Sequence, residues 1–148
     1  MIELPDLAAM DAFAARIAPL LREGDVVALE GDLGAGKSTL ARAIIRALGH
    51  DGEVPSPTFT IIEMYEELSP PIVHADFYRL EDPDEAEQLG LDDYREGAVL
   101  LAEWPANAGG FAHEPQCLSI RIEFLGKNGA DGRKVIVEPG AAWLGRWV

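Results

Sequence analysis

Gly31-Asp32-Leu33-Gly34-Ala35-Gly36-Lys37-Ser38-Thr39 is the stretch on which the reading of this chain turns. Its three glycines let the backbone point several N–H groups at one spot, which suits phosphate oxygens. The pattern G-x-x-x-x-G-K-[ST] is a P-loop, and it requires a strand before it and a helix after it. Both are legible. Val26 to Glu30 is a short apolar run that reads as a buried strand. Lys37 to Leu48 alternates apolar and basic residues at helical spacing, and Gly49 is a good stop. The helix aims its positive end at the anion. Asp32, Leu33, Gly34, Ala35, Gly36 and Thr39 therefore form the phosphate cradle. Lys37 neutralises the β- and γ-phosphates of a nucleotide, and Ser38 offers a hydroxyl to Mg²⁺.

Such a site needs a carboxylate near the metal, at the end of a buried strand. Val99-Leu100-Leu101-Ala102-Glu103 supplies one, so Glu103 is the first candidate, beside the plainer reading of a solvated strand-end acid. Asp76 is the second, within the apolar run Ile72-Val73-His74-Ala75-Asp76-Phe77-Tyr78. A carboxylate there is costly without a metal or a donor, although an ion pair with Arg79 would also explain it. Thr58 and Thr60, in Ser56-Pro57-Thr58-Phe59-Thr60, stand where switch-type proteins sense a γ-phosphate, and turn chemistry accounts for them equally well. His74 reads as a packed or hydrogen-bonded strand residue. Trp104 reads as the rim of the site, with core packing as the alternative.

Further out, Asp6 caps a helix whose apolar face is Leu7, Met10, Phe13, Ile17 and Leu20, with Pro19 bending or ending it. Strands are expected over Phe59 to Tyr65 and Ile72 to Tyr78, joined by a turn at Ser69-Pro70-Pro71. A short acidic helix runs from Pro83 to Leu89, and Ala106 to Gln116 is a loop. A half-buried strand over Leu118 to Phe124 and a return strand over Lys134 to Glu138 close the chain. Trp143 and Trp147 share a face if that segment is helical. Strands mixed with helices imply an α/β fold: a three-layer P-loop NTPase-like domain, 1–148, with a mixed central β-sheet flanked by helices.

The 148 residues suit one domain with a real core, and 48% of them are hydrophobic. The net charge of −14 argues against independent nucleic-acid binding and against docking on an anionic membrane. Residues 51–103 carry 15 acids and two bases, while the rest is nearly neutral. The lone Cys117 permits no internal disulfide, no 18-residue apolar run is present, and the three acids without Lys or Arg in Met1 to Asp11 lead us to expect no signal peptide. A cytoplasmic protein is expected.

With these residues placed, the chain resembles the TsaE family, bacterial ATPases of tRNA threonylcarbamoyladenosine biosynthesis. The resemblance rests on the P-loop together with Ser56-Pro57-Thr58-Phe59-Thr60, His74-Ala75-Asp76-Phe77-Tyr78-Arg79-Leu80, Leu89-Gly90-Leu91 and Glu103-Trp104-Pro105, in that order. It implies ATP hydrolysis with Mg²⁺, feeble alone, that resets a complex of TsaB and TsaD. It further implies that Lys37 holds phosphate, Ser38 and Glu103 hold the metal, and Asp76 orients water or the metal shell. Thr58 and Thr60 would form the switch, and Trp104 would border the site. Ser38 replaces the commoner Thr and keeps the hydroxyl. Asp76 and Glu103 both stay open as the base. No guanine-reading [NT]-K-x-D segment is present, which favours ATP over GTP. The alternatives are a nucleoside or other small-molecule kinase and a nucleotide-dependent interaction module. Only Arg79 and Arg95 lie in residues 51–103 to clamp a phosphoryl acceptor, which counts against the kinase.

Overall fold

The computed structural model describes residues 2–52, 54, 62–127 and 130–147. Its centre is a mixed seven-stranded sheet in the order β1-β7-β6-β2-β5-β4-β3. The strands are β1 (Ile2–Leu4), β2 (Val26–Gly31), β3 (Ile62–Tyr65), β4 (Ile72–Asp76), β5 (Val99–Glu103), β6 (Cys117–Phe124) and β7 (Arg133–Pro139). The four inner strands β6, β2, β5 and β4 run parallel; β1, β7 and β3 pair antiparallel at the edges. Parallel strands are covered on both faces, and β2 and β5 are accordingly apolar almost throughout.

Alternation along each strand sorts the side chains into two cores. Val27, Leu29, Leu101 and Ile120 face α1 (Leu7–Ile17) and α2 (Lys37–Ala47). Val26, Ala28, Leu100 and Ala102 face the opposite layer, with Phe77, Phe111 and residues of α3 (Asp84–Gln88) and α4 (Leu91–Arg95). Helices thus flank the sheet on both sides in the expected three-layer α/β arrangement. Asp6 caps α1 by accepting the Ala9 N–H at 2.9 Å. The α-helix ends at Ile17, and Pro19 falls in a 3₁₀ turn that follows.

Several boundaries differ from the sequence-based expectation. The strand predicted to reach Tyr78 ends at Asp76, where Tyr78 N–H turns back to the Asp76 carboxylate at 3.0 Å. β1 and α4 were not anticipated, being only three and five residues long. The expected loop from Ala106 opens on a 3₁₀ turn over Pro105–Ala108. The C-terminal tryptophans follow no α-helix: Trp143 closes a 3₁₀ turn and is fully buried, while Trp147 packs edge-on against Phe13.

The register places the site. Asp76 and Glu103 are partners at the C-terminal ends of parallel β4 and β5. By the two-residue period both share the α2 face with His74, which lies two residues earlier on β4. β2 ends beside them and runs into the glycine loop, so the loop opens at the C-terminal edge of the parallel strands, where open α/β sheets bind ligands.

Candidate functional site

The glycine loop is already shaped. Gly31 has φ +148°, and a Cβ there would strike the Ile122 carbonyl oxygen on the neighbouring strand, so only glycine fits. Gly36, at φ 115°, takes the left-handed conformation at the N-terminus of α2. Lys37 leads the helix but folds back over the loop, and its Nζ donates to the Gly31 and Asp32 carbonyls, both at 2.8 Å. That ammonium also sits 4.3 Å from the centre of the Trp104 ring. Burial lowers the Lys37 pKa, against the opposing pull of Glu103, Asp76 and Asp32.

Ser38 Oγ donates to Glu103 Oε1 at 2.7 Å. The other carboxylate oxygen, Oε2, lies 2.6 Å from His74 Nε2. Glu103 and His74 are both almost wholly buried. Burial pushes the Glu103 pKa up, but the hydrogen bonds and charge of His74, the Ser38 hydroxyl and Lys37 outweigh it, and the carboxyl ends below its usual range. Asp76 goes the other way. Burial raises its pKa, aided by the charge of Glu103 and only partly offset by the Tyr78 N–H.

Trp104 carries φ 55°, a left-handed backbone rare for a bulky residue and costing about 1–3 kcal/mol. The turn aims its ring across the cleft, where Tyr78 meets it at 5.1 Å between ring centres.

These groups line a cleft of about 250 Å³ that holds Lys37, Ser38, Asp76, Glu103 and Trp104 together with Leu33, Gly34, Gly36 and Thr39. Gly34, Gly36 and Thr39 also border a second hollow of about 280 Å³, walled by Leu4, Leu7 and Met10. Ala35 lines that second hollow. A larger depression of about 700 Å³ lies to the other side, where Asp32 joins Glu30 and Glu123. Arg121 pairs with Glu30 there, but Lys37 and Ser38 open on the smaller cleft, so size does not mark the anion site. Thr58 and Thr60 lie outside the described residues.

Sequence reasoning had not singled out three contributors. Arg133 Nε donates to the Ala35 carbonyl at 2.8 Å and braces the loop from β7. Arg42 lines the cleft one helical turn after Ser38, a spacing legible in the sequence. Tyr78 meets the Trp104 ring at a tilt of 47°.

Ser38 and Glu103 offer hard oxygen donors of the kind Mg²⁺ takes, and the paired hydroxyl and carboxylate at the loop mouth fit that ion. Among the described residues no cluster of three or more His, Cys, Asp or Glu could hold a metal without help.

A mixed α/β sheet with a strand–glycine loop–helix unit among its parallel inner strands, a lysine over the loop and a strand-end carboxylate beside the loop serine defines a P-loop protein. A family model described as "Threonylcarbamoyl adenosine biosynthesis protein TsaE" matches residues 4–135, and the chain belongs to that family. It is 39% identical over 127 residues to the tRNA threonylcarbamoyladenosine biosynthesis protein TsaE of Haemophilus influenzae, covering 82% of this chain and 80% of that one. The protein of the same name from Bacillus subtilis is 42% identical over 128 residues, with 84% and 75% covered. The crystal structure of YdiB from the same bacterium superimposes with a TM-score of 0.73 at 34% identity, over 93% of this chain and 84% of that one.

Proposed function

We propose that the chain works as one P-loop domain, 1–148, that hydrolyses ATP to ADP and phosphate, and that hydrolysis drives or resets a complex of TsaB and TsaD homologues making N6-threonylcarbamoyladenosine in tRNA. The family and its relatives support the pathway. The observation that carries the chemistry is the Ser38–Glu103 bond of 2.7 Å at the mouth of the glycine loop. Phosphate binds the loop N–H groups and the start of α2, with Lys37 already bent over the place it would occupy. Ser38 and Glu103 hold Mg²⁺, which when bound neutralises charge on the phosphate oxygens. Glu103, kept ionised by its donors, suits the metal. Asp76, one strand over and pushed toward higher pKa, suits the attacking water. Trp104 closes the rim, and the base enters the hollow between the glycine loop and α1, beside Leu7 and Met10.

The acidic surface favours partner proteins over direct contact with nucleic acid. Among the described residues no helix is long and apolar enough to cross a membrane, and we place the protein in the cytoplasm.

Measuring ATP hydrolysis with and without the TsaB–TsaD complex tests the reading. Slow turnover alone and stimulation by the complex are expected. Lys37→Ala should abolish nucleotide binding or turnover. Glu103→Ala and Asp76→Ala should keep binding better than they keep turnover. Efficient phosphate transfer to a nucleoside, with no response to the partners, would overturn it.

A further inference from the structure

We propose that Arg42 is a catalytic residue of this reaction, its guanidinium meeting the terminal phosphate of ATP and stabilising the charge that builds there during hydrolysis. The inference rests on the ATPase reading above. Side chains on a helix lean toward its N-terminus, and residue 42 lies one turn after Ser38 on the same face of α2. Arg42 Nε donates to the Ser38 carbonyl at 3.2 Å, which ties the base of the guanidinium to the first turn of the helix. The side chain lines the same cleft as Lys37, Ser38, Asp76 and Glu103.

What remains of the fork is uncommitted. Among the described residues Nη1 and Nη2 have no hydrogen-bond or ion-pair partner, whereas Arg95 and Arg146 each grip a carboxylate with both. An arginine that is half-buried, oriented through Nε and unpaired at its tip is arranged to receive an anion. Its planar pair of donors matches two oxygens of one phosphate. The electrostatics ask for such a group. Asp76 and Glu103 already place two carboxylates in the cleft against the single ammonium of Lys37. A nucleoside triphosphate adds several more negative charges, and preorganised cations are the main source of rate in phosphoryl transfer.

In the step itself the water oxygen bonds to the γ-phosphorus. The bond from that phosphorus to the β–γ bridging oxygen breaks, with its electron pair leaving on ADP, and the water proton passes to the phosphate released. Arg42 takes no proton; it holds the equatorial oxygens as their charge redistributes.

The test uses the full chain with Arg42→Ala and Arg42→Lys. Labelled ADP is titrated with and without aluminium fluoride, which mimics the phosphoryl group in flight, and ATP turnover is followed under single-turnover conditions. Wild-type protein should bind ADP more tightly with aluminium fluoride. Arg42→Ala should bind ADP within about twofold of wild type, lose the fluoride-dependent gain, and turn over about 100-fold more slowly. Arg42→Lys should recover part of both. The proposal is overturned if Arg42→Ala keeps the gain and the rate. It is equally overturned if ADP affinity and melting temperature fall along with the rate and lysine rescues neither, for Arg42 would then only brace the helix. A wild-type protein that neither hydrolyses ATP nor responds to aluminium fluoride would instead overturn the ATPase reading, and this inference with it.

Discussion

Glu103 divides its two oxygens between the Ser38 hydroxyl and the His74 imidazole, and it is 2% exposed. Removing the imidazole strands a buried carboxylate oxygen. Hydrogen bonds to charged groups are worth about 1.5–3 kcal/mol, so His74→Ala should lose stability of that order, read as a lower urea midpoint. The released carboxylate should also weaken Mg²⁺-dependent nucleotide binding, while affinity without metal stays near wild type. His74→Gln, whose amide can donate to the same oxygen, should recover part of both; equal damage from the two substitutions would deny His74 a positioning role. Among the described residues His74 Nδ1 is itself buried without a hydrogen-bond partner, an expense that points to the Nε2 contact as the reason for a histidine here. In the sequence His74 was legible as a packed or hydrogen-bonded strand residue, without its partner. Alternation put it on the face of Asp76, but the β4–β5 register brought it to Glu103.

At the scale of elements, β2 is anchored at the end far from the loop. Asp25, just before it, is 1% exposed and takes both Arg146 Nη groups at 2.8 Å. It also accepts the Arg22 N–H at 2.7 Å. The Arg146 guanidinium lies 4.0 Å from the Trp143 ring centre, and the indole donates to the Gln116 carbonyl at 2.8 Å. Arg146→Ala leaves a buried charge with too few partners, and breaking such a pair costs about 3–5 kcal/mol. The expected loss is near the lower figure, because the Arg22 N–H remains. Chemical denaturation measures it, and an unchanged midpoint would show the latch to be ornamental. Nucleotide affinity of the folded fraction should hold, because the strand separates the latch from the glycine loop by about 17 Å. The long elements were readable because each carries a full period of apolar residues. β1 and α4 were not: three and five residues span too little of a pattern, and tertiary pairing makes them.

The acidity of the molecule is concentrated in the middle of its chain, residues 51–103, rather than spread evenly. Eight acids fall between Glu81 and Glu96. Some serve the local fold: Asp82 accepts the Asp84 N–H at 2.9 Å and Glu85 accepts the Glu81 N–H at 3.3 Å. Asp84, Glu85 and Glu87 also stand in the first turn of α3, where negative charge is favoured. Asp84 and Glu87 remain exposed and have no side-chain hydrogen bond or ion pair among the described residues. A basic face on the proposed partners would use them. Asp84→Lys with Glu87→Lys should then lower affinity for the TsaB–TsaD complex and flatten its salt dependence, measured by titration at two ionic strengths, without touching ADP affinity. Affinity indifferent to both salt and charge would leave these acids to solubility and capping alone.

The nucleotide loop, the helix behind it and the candidacy of each strand-end carboxylate follow from residues close together in the chain, whereas the pairing of Asp76 with Glu103 on one face follows from the β4–β5 register. Glycine freedom, helical spacing and strand alternation are short-range properties, which is why the linear order of residues carries them. Strand order and register are different, because they express how the whole set of apolar faces packs. Only that packing sets Glu103 against Ser38 and His74, 65 and 29 residues away. It alone brings Arg133 across 98 residues to brace the loop, and ties Arg146 to Asp25 across 121. No local propensity encodes those distances, since each depends on where every other strand has already gone.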